Sequence, residues 1–210
     1  MTLRAGPTAD AIRHERLIIV LRQIAPRSRL VDLVSDLIDA GARLFEVTFD
    51  GPDPSGDVVA VREQLASGSG LVGAGTVRTA EQLDAAIAAG VDFGVSPVFD
   101  RGIVAASVDA GLPFVAGAST PTEVDAAWRT GATFVKLFPG SFLGPGFVRE
   151  LRGPMPEIET VVTGSVDASN AAAFLEAGAV AVGVGSAIVR AGATERRALI
   201  ASIAATPRSR

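Results

Sequence analysis

The sequence predicts an α/β chain folded as a single (β/α)8 TIM barrel over residues 1–210. Three observations carry this. Short β-rich apolar runs alternate with alanine-rich stretches of helical period. There are eight such runs, recurring at intervals of roughly 20 to 28 residues, as strand–helix units do. The runs are apolar on both faces, as parallel strands covered by helices must be. At 210 residues the chain is compact for eight units, yet long enough for one substantial core.

A short N-terminal helix opens the chain. The predicted strands follow at 17–22, 43–49, 71–76, 93–97, 113–119, 133–139, 160–165 and 180–186, each rich in Val, Ile, Leu or Phe. Helical patterns lie between them at 30–40, 79–89, 121–130 and 168–177. The pairs Ala40-Gly41, Ala89-Gly90, Ala110-Gly111 and Ala177-Gly178 supply left-handed helix stops. A doubly wound open sheet is the alternative, but no Gly-x-Gly-x-x-Gly turn follows the first strand. Gly73 and Gly75 fall before a strand end at Thr76 and read as close packing. Residues 206–210 read as a frayed tail.

Composition excludes several chemistries. The chain has no cysteine, no tyrosine and one histidine, His14. Thiol nucleophiles, thiolate metal sites and tyrosine acids are therefore ruled out. A serine–histidine relay would need His14, which sits in the polar segment 10–16 and reads as a surface residue. Net charge is −4 with arginines scattered along the chain, which argues against a nucleic-acid partner. No charged-then-apolar leader opens the sequence, and no apolar run approaches the roughly 20 residues of a membrane span. A cytoplasmic protein without a membrane partner is expected.

Of 19 basic residues, 18 are arginine; the single lysine, Lys136, lies in the apolar strand 133–139. A buried ammonium loses solvation, which favours the neutral amine able to attack a carbonyl. Guanidinium stays protonated and cannot do this. The functional reading is a Schiff-base lysine; the alternative is a lysine snorkelling from the strand end or buried in a structural ion pair. In a barrel the chemistry gathers where strands end. Those ends carry Arg22, Glu46, Thr48, Thr76, Ser96, Pro97, Ser119, Lys136, Thr163 and Ser186. Glu46, between Phe45 and Val47, is a carboxylate in an apolar strand, as Lys136 is an amine in one. Strand alternation sets Glu46 with Thr48 and Lys136 with Phe138. A Schiff-base route needs a proton shuttle, and with no tyrosine a carboxylate is the natural candidate. The alternative is a buried structural ion pair between the two.

Six segments, in order and each at a strand end, carry a resemblance. They are Glu46-Val47-Thr48, Gly73-Ala74-Gly75-Thr76-Val77, Val95-Ser96-Pro97, Val135-Lys136-Leu137-Phe138-Pro139, Val162-Thr163-Gly164 and Gly183-Val184-Gly185-Ser186. The chain resembles the 2-keto-3-deoxy-6-phosphogluconate/6-phosphogalactonate (KDPG/KHG) aldolases from about residue 17 to 192. The resemblance implies a class I aldolase that cleaves a 2-keto-3-deoxy-6-phospho sugar acid to pyruvate and glyceraldehyde 3-phosphate. It implies neither cofactor nor metal, since the protonated imine is the electron sink, and it implies a homotrimer. Lys136 would form the imine and Glu46 would act as general acid and base. Thr76 and Thr163 would hydrogen-bond the pyruvate or hydroxyl portion, while Pro97 and Phe138 would wall the imine. The turns Gly164-Ser165 and Gly185-Ser186 would take the phosphate on backbone N–H groups, as glycine turns opening onto helices can.

Two departures from the family pattern matter. Asp50 stands where gluconate-type members carry arginine; the segment 50–52 is closer to the galactonate branch. Arg22 would then hold the substrate carboxylate, its alternative being a salt bridge to Glu46. Ser165 stands where the family often has a second glycine. Thr163, by contrast, follows the gluconate branch. Three other readings remain. A metal-dependent pyruvate aldolase would need a carboxylate cluster, for which only Glu46 and Asp50 lie close in sequence. A non-catalytic barrel binding a phosphorylated metabolite would keep the late glycine turns. A phosphate-barrel isomerase would keep those turns but has no reason to retain Lys136.

Overall fold

The computed structural model describes residues 3–65 and 70–207. A 3₁₀ turn, Leu3–Ala5, leads into helix α1, Pro7–Glu15. The strands are β1 Leu17–Leu21, β2 Leu44–Thr48, β3 Leu71–Gly75, β4 Phe93–Val95, β5 Phe114–Ala118, β6 Phe134–Leu137, β7 Thr160–Thr163 and β8 Ala181–Val184. Each pairs in parallel with the next, and β8 closes on β1, giving the eight-stranded closed barrel. The outer helices are α2 Arg27–Asp39, α3 Pro54–Gln64, α4 Ala80–Ala88, α5 Arg101–Asp109, α6 Pro121–Thr130, α7 Gly140–Arg152 and α8 Ala171–Glu176. Two more follow the last strand, α9 Ser186–Arg190 and α10 Ala193–Ala205.

The predicted helix stops form as expected. Gly41, with φ 105°, ends α2, and the amide of Ala42 returns to the carbonyl of Leu37. The sequence pattern placed the fourth named helix at 168–177, but α8 starts only at Ala171. The reason is local: the Asp167 carboxylate accepts from the amide and hydroxyl of Ser169, and Asn170 caps the amide of Asp167. Those side chains satisfy the backbone in a turn instead of a helix. The predicted strands overrun their true C-terminal ends by one or two residues, since the barrel strands stop at 21, 48, 75, 95, 118, 137, 163 and 184. Thr76 and Ser165 cannot extend them, because both are left-handed, with φ 57° and 56°. Thr206, assigned by the sequence to the tail, is buried and its carbonyl accepts from Arg16. Residues 208–210 of that tail lie outside the described residues.

Two apolar layers hold the barrel. The outer one, between strands and helices, includes Phe45, Leu37, Val72, Phe114, Val135 and Phe174. The inner one fills the N-terminal half of the barrel with Ile18, Leu44, Phe93, Val115, Phe134 and Val161, and α1 caps it with Ala9 and Ile12. Fully burying one such phenylalanine contributes about 1.5–3 kcal/mol. Further up, the inward positions change character. Glycines 73, 75, 117 and 183 replace large side chains, and among them stand Glu46, Lys136 and Thr163. The floor is packed; the upper half is cleared for a site.

Candidate active site

Lys136 is the third residue of β6, registered between Gly117 of β5 and Val161 of β7. Its side chain is 8% exposed and its Nζ lies 3.8 Å from Oε1 of Glu46, whose side chain is 2% exposed. The two residues that composition singled out therefore meet inside the barrel. Gly75 makes this possible, since a Cβ there would overlap the Glu46 carboxylate. Phe138 follows β6 with its ring centroid 5.7 Å from the Lys136 Nζ, within range of a cation–π contact. It is fixed from behind, because the hydroxyl of Ser119 donates to its carbonyl and its amide donates to Ala118. Pro97 lies over β5: its carbonyl occupies the space a Cβ at Gly117 would need, beside the strand that holds the lysine.

Arg22 does not pair with Glu46, the alternative the sequence left open. Its Nη1 donates to Oδ2 of Asp50 and its Nη2 donates to Oγ1 of Thr76 at 3.1 Å. The amide of the Gln23 side chain adds a bond to the carbonyl of Asp50 at 3.0 Å. Arg22 thus stitches the loops after β1, β2 and β3 into one rim. The described residues include four non-glycine residues with positive φ; three of them, Gln23, Thr76 and Ser165, lie on this rim and the fourth is Arg16. Backbone strain of this kind gathers at functional sites, and a β-branched residue such as Thr76 is an uncommon carrier of it.

A cavity of about 570 Å³ opens at the C-terminal mouth of the barrel. Lys136 and Thr163 form its depth, Arg22 and Phe138 part of its wall, and the turns 164–165 and 185–186 its far side. Glu46, Thr76 and Pro97 stand behind these residues and do not themselves line it. Thr163 is only 5% exposed, and its Oγ1 is a buried polar atom with no hydrogen-bond partner among the described residues. A buried hydroxyl left in that state costs about 1–3 kcal/mol, a cost that a polar atom entering the cavity would offset.

Sequence reasoning passed over two charged wall residues, Asp167 and Arg190. The Ser169 hydroxyl, then its backbone N–H, holds the Asp167 carboxyl below its ordinary value, so it is an anion at neutral pH. Arg190 comes four residues after Ser186 on α9, a spacing that sets both on one helix face and was readable from the sequence. His14 lies far from this mouth on α1, is 77% exposed and contacts Glu15. Among the described residues, no three His, Cys, Asp or Glu side chains come together as a metal-ligand group. No helix among them is long and apolar enough to cross a membrane.

A (β/α)8 barrel with a buried amine–carboxylate pair at the mouth end of its strands fits a barrel enzyme of the lysine-dependent carbon–carbon lyase kind. Comparison with known proteins makes this specific. Residues 9–204 match the family described as "Aldolase: KDPG and KHG aldolase", and the chain belongs to that family and is an aldolase. It is 32% identical to the 2-dehydro-3-deoxy-6-phosphogalactonate aldolase of Escherichia coli K12 over 182 residues, covering 86% of this chain and 88% of the relative. It is 36% identical to the 2-dehydro-3-deoxy-phosphogluconate aldolase of Treponema pallidum over 146 residues, 69% of each chain. Among solved structures, the 2-keto-3-deoxy-6-phosphogluconate aldolase of Zymomonas mobilis ZM4 with 3-phosphoglycerate superposes with a TM-score of 0.84 at 25% identity, covering 96% of this chain and 97% of that one.

Proposed function

We propose that this chain is a class I aldolase that cleaves a 2-keto-3-deoxy-6-phospho sugar acid to pyruvate and glyceraldehyde 3-phosphate through an imine on Lys136. The observation that carries the reading is the 3.8 Å approach of the Lys136 Nζ to the Glu46 carboxylate at the base of the cavity. In this scheme Nζ adds to the C2 carbonyl, and water leaves to give a protonated imine. Glu46 takes the proton from the C4 hydroxyl, directly or through a water, as the C3–C4 bond breaks. The bonding pair moves into the imine, giving an enamine, and the aldehyde departs. Protonation at C3 and hydrolysis of the imine then release pyruvate and restore the amine.

The remaining residues have supporting roles in the proposal. Thr163, with its unmatched buried hydroxyl, takes a substrate oxygen. Phe138 and Pro97 wall the imine. Arg22, held by Asp50 and Thr76, keeps donors free for the C1 carboxylate. The turns at Gly164-Ser165 and Gly185-Ser186 receive the phosphate on backbone N–H groups. The relatives include galactonate- and gluconate-acting enzymes, and assays with both substrates decide between the two configurations. A cytoplasmic homotrimer is the assembly and setting we extend from the same family.

The test is intact-mass spectrometry after incubation with pyruvate and borohydride. A single reduced pyruvyl adduct is expected on the wild type and none on Lys136→Ala. A folded wild type that gains no adduct would overturn the imine route.

A further inference from the structure

The geometry points to Arg190 as the side chain that selects a phosphorylated substrate, clamping the distal phosphate from helix α9 over the turn at Gly185-Ser186. This rests on the functional reading above and deepens it. Arg190 lines the same cavity as Lys136 and as the turns 164–165 and 185–186. It lies four residues beyond Ser186 on α9, Ser186–Arg190, so the two share a helix face. Side chains on a helix lean toward its N-terminus, which carries the long Arg190 side chain back over Ser186 and the turn.

The charge pattern of the cavity singles Arg190 out. Arg22, the other arginine of the wall, already spends one face on the Asp50 carboxylate. Lys136 has Glu46 at 3.8 Å. Arg190 forms no ion pair or hydrogen bond with the described residues. The Asp167 carboxylate also lines the cavity, where it accepts from the amide and hydroxyl of Ser169 and, among the described residues, forms no ion pair with Arg190. A bound substrate carries a carboxylate at one end and a phosphate dianion at the other. The uncompensated arginine is the one beside the proposed phosphate turn, and a guanidinium fork matches phosphate oxygens in geometry and charge.

The ordinary alternative for Arg190 is a cation satisfying the C-terminal carbonyls of its own helix. Two of those carbonyls are taken by another residue. Arg196 of α10 donates Nε to the carbonyl of Ile188 at 3.1 Å and Nη2 to that of Val189 at 3.2 Å. Its Nη1 pairs with Asp36 of α2 at 3.2 Å, which ties α9 to the outer helix layer. Arg196 thus holds α9 in place and leaves Arg190 for the cavity.

The experiment compares kcat/KM for a 6-phosphorylated 2-keto-3-deoxy sugar acid and for its unphosphorylated counterpart, in wild type, Arg190→Gln and Arg190→Lys. Loss of a charged hydrogen-bonding partner predicts that Arg190→Gln loses about 10- to 100-fold with the phosphorylated substrate. It should change by less than about threefold with the other, where no phosphate is present to lose its partner. Arg190→Lys should recover part of the loss. An equal loss on both substrates, or no loss on the phosphorylated one, would overturn the assignment. Borohydride trapping of pyruvate is run on each variant. An adduct on Arg190→Gln equal to wild type isolates the phosphate clamp, whereas no adduct even on wild type would mean that the imine reading had failed instead.

Discussion

Lys136 and Glu46 are 3.8 Å apart with both side chains nearly sealed from solvent, and a buried pair of this kind contributes little net stability. Desolvation offsets most of the attraction, so its place in a barrel cleared of large side chains is better explained by chemistry. The pair itself yields two predictions. Lys136→Arg keeps a cation but loses the nucleophile; it should fold normally by circular dichroism and show no turnover, and retained activity would sink the mechanism. Glu46→Gln should still form the borohydride-trapped adduct but turn over about 10²–10⁴-fold more slowly; a rate within a few-fold of wild type removes Glu46 from proton transfer. Thr76 offers a different test. Its left-handed backbone, φ 57°, costs a side-chain-bearing residue about 1–2 kcal/mol, against which glycine loses about 0.5–1 kcal/mol in chain entropy. Thr76→Gly should therefore melt at an equal or higher temperature, while KM rises because Arg22 loses its 3.1 Å acceptor. A lower KM would show that Thr76 does not serve to present Arg22.

Helix α6 joins stability to the site through one cap. Thr120 and Glu123 form a capping box, and the same Glu123 carboxylate accepts from the amide of Ser119 at 2.9 Å. Ser119 in turn holds the carbonyl of Phe138, so the start of α6 fixes the wall beside Lys136. The Ser119 amide is the main reason the Glu123 carboxyl sits below its ordinary value. A depressed folded pKa contributes stability above the unfolded pKa, and that contribution is lost as pH falls through the folded one. Glu123→Gln should therefore cost about 1 kcal/mol at neutral pH and progressively less below about pH 4, read by denaturant melts at both. An undiminished cost in acid would show that the carboxylate charge is not what the cap uses. This scale also separates what the sequence made legible. Helix stops such as Ala40-Gly41 and the β6 segment 134–137 were readable, because the apolar period and the glycine each fix one local conformation. Strand ends were overrun at Thr76 and Ser165, because strain there is imposed by tertiary contacts and leaves no local signal. The late start of α8 came from the Asp167–Asn170 side-chain turn, which competes with the helix for the same amides.

Across the whole molecule, the barrel divides its labour along its axis. The N-terminal half is packed with Phe93, Phe134 and their neighbours and capped by α1. The C-terminal half is opened by glycines and carries the amine, the carboxylate and three strained residues. Eight strand periods made this architecture legible, and the lone lysine marked the end of the barrel where the cavity opens. Arg22's partner Asp50 was not legible as such, because a pair 28 residues apart forms only when neighbouring loops meet on the rim. Assembly is the remaining question at this scale. The homotrimer extended from the family should elute at three times the 21.4 kDa chain mass. The rim also displays apolar surface that a lone chain would leave in water: Phe142 at the start of α7 is 83% exposed and Val98 after β4 is 53% exposed. Covering one phenylalanine contributes about 1.5–3 kcal/mol, enough for a charge placed there to weaken an association repeated around a three-fold axis. Phe142→Asp should therefore move the elution toward the single-chain mass while leaving the far-ultraviolet circular dichroism unchanged. A wild type that elutes as one chain at micromolar concentration would remove the trimer. A Phe142→Asp variant that still elutes as three would place the interface on another face of the barrel.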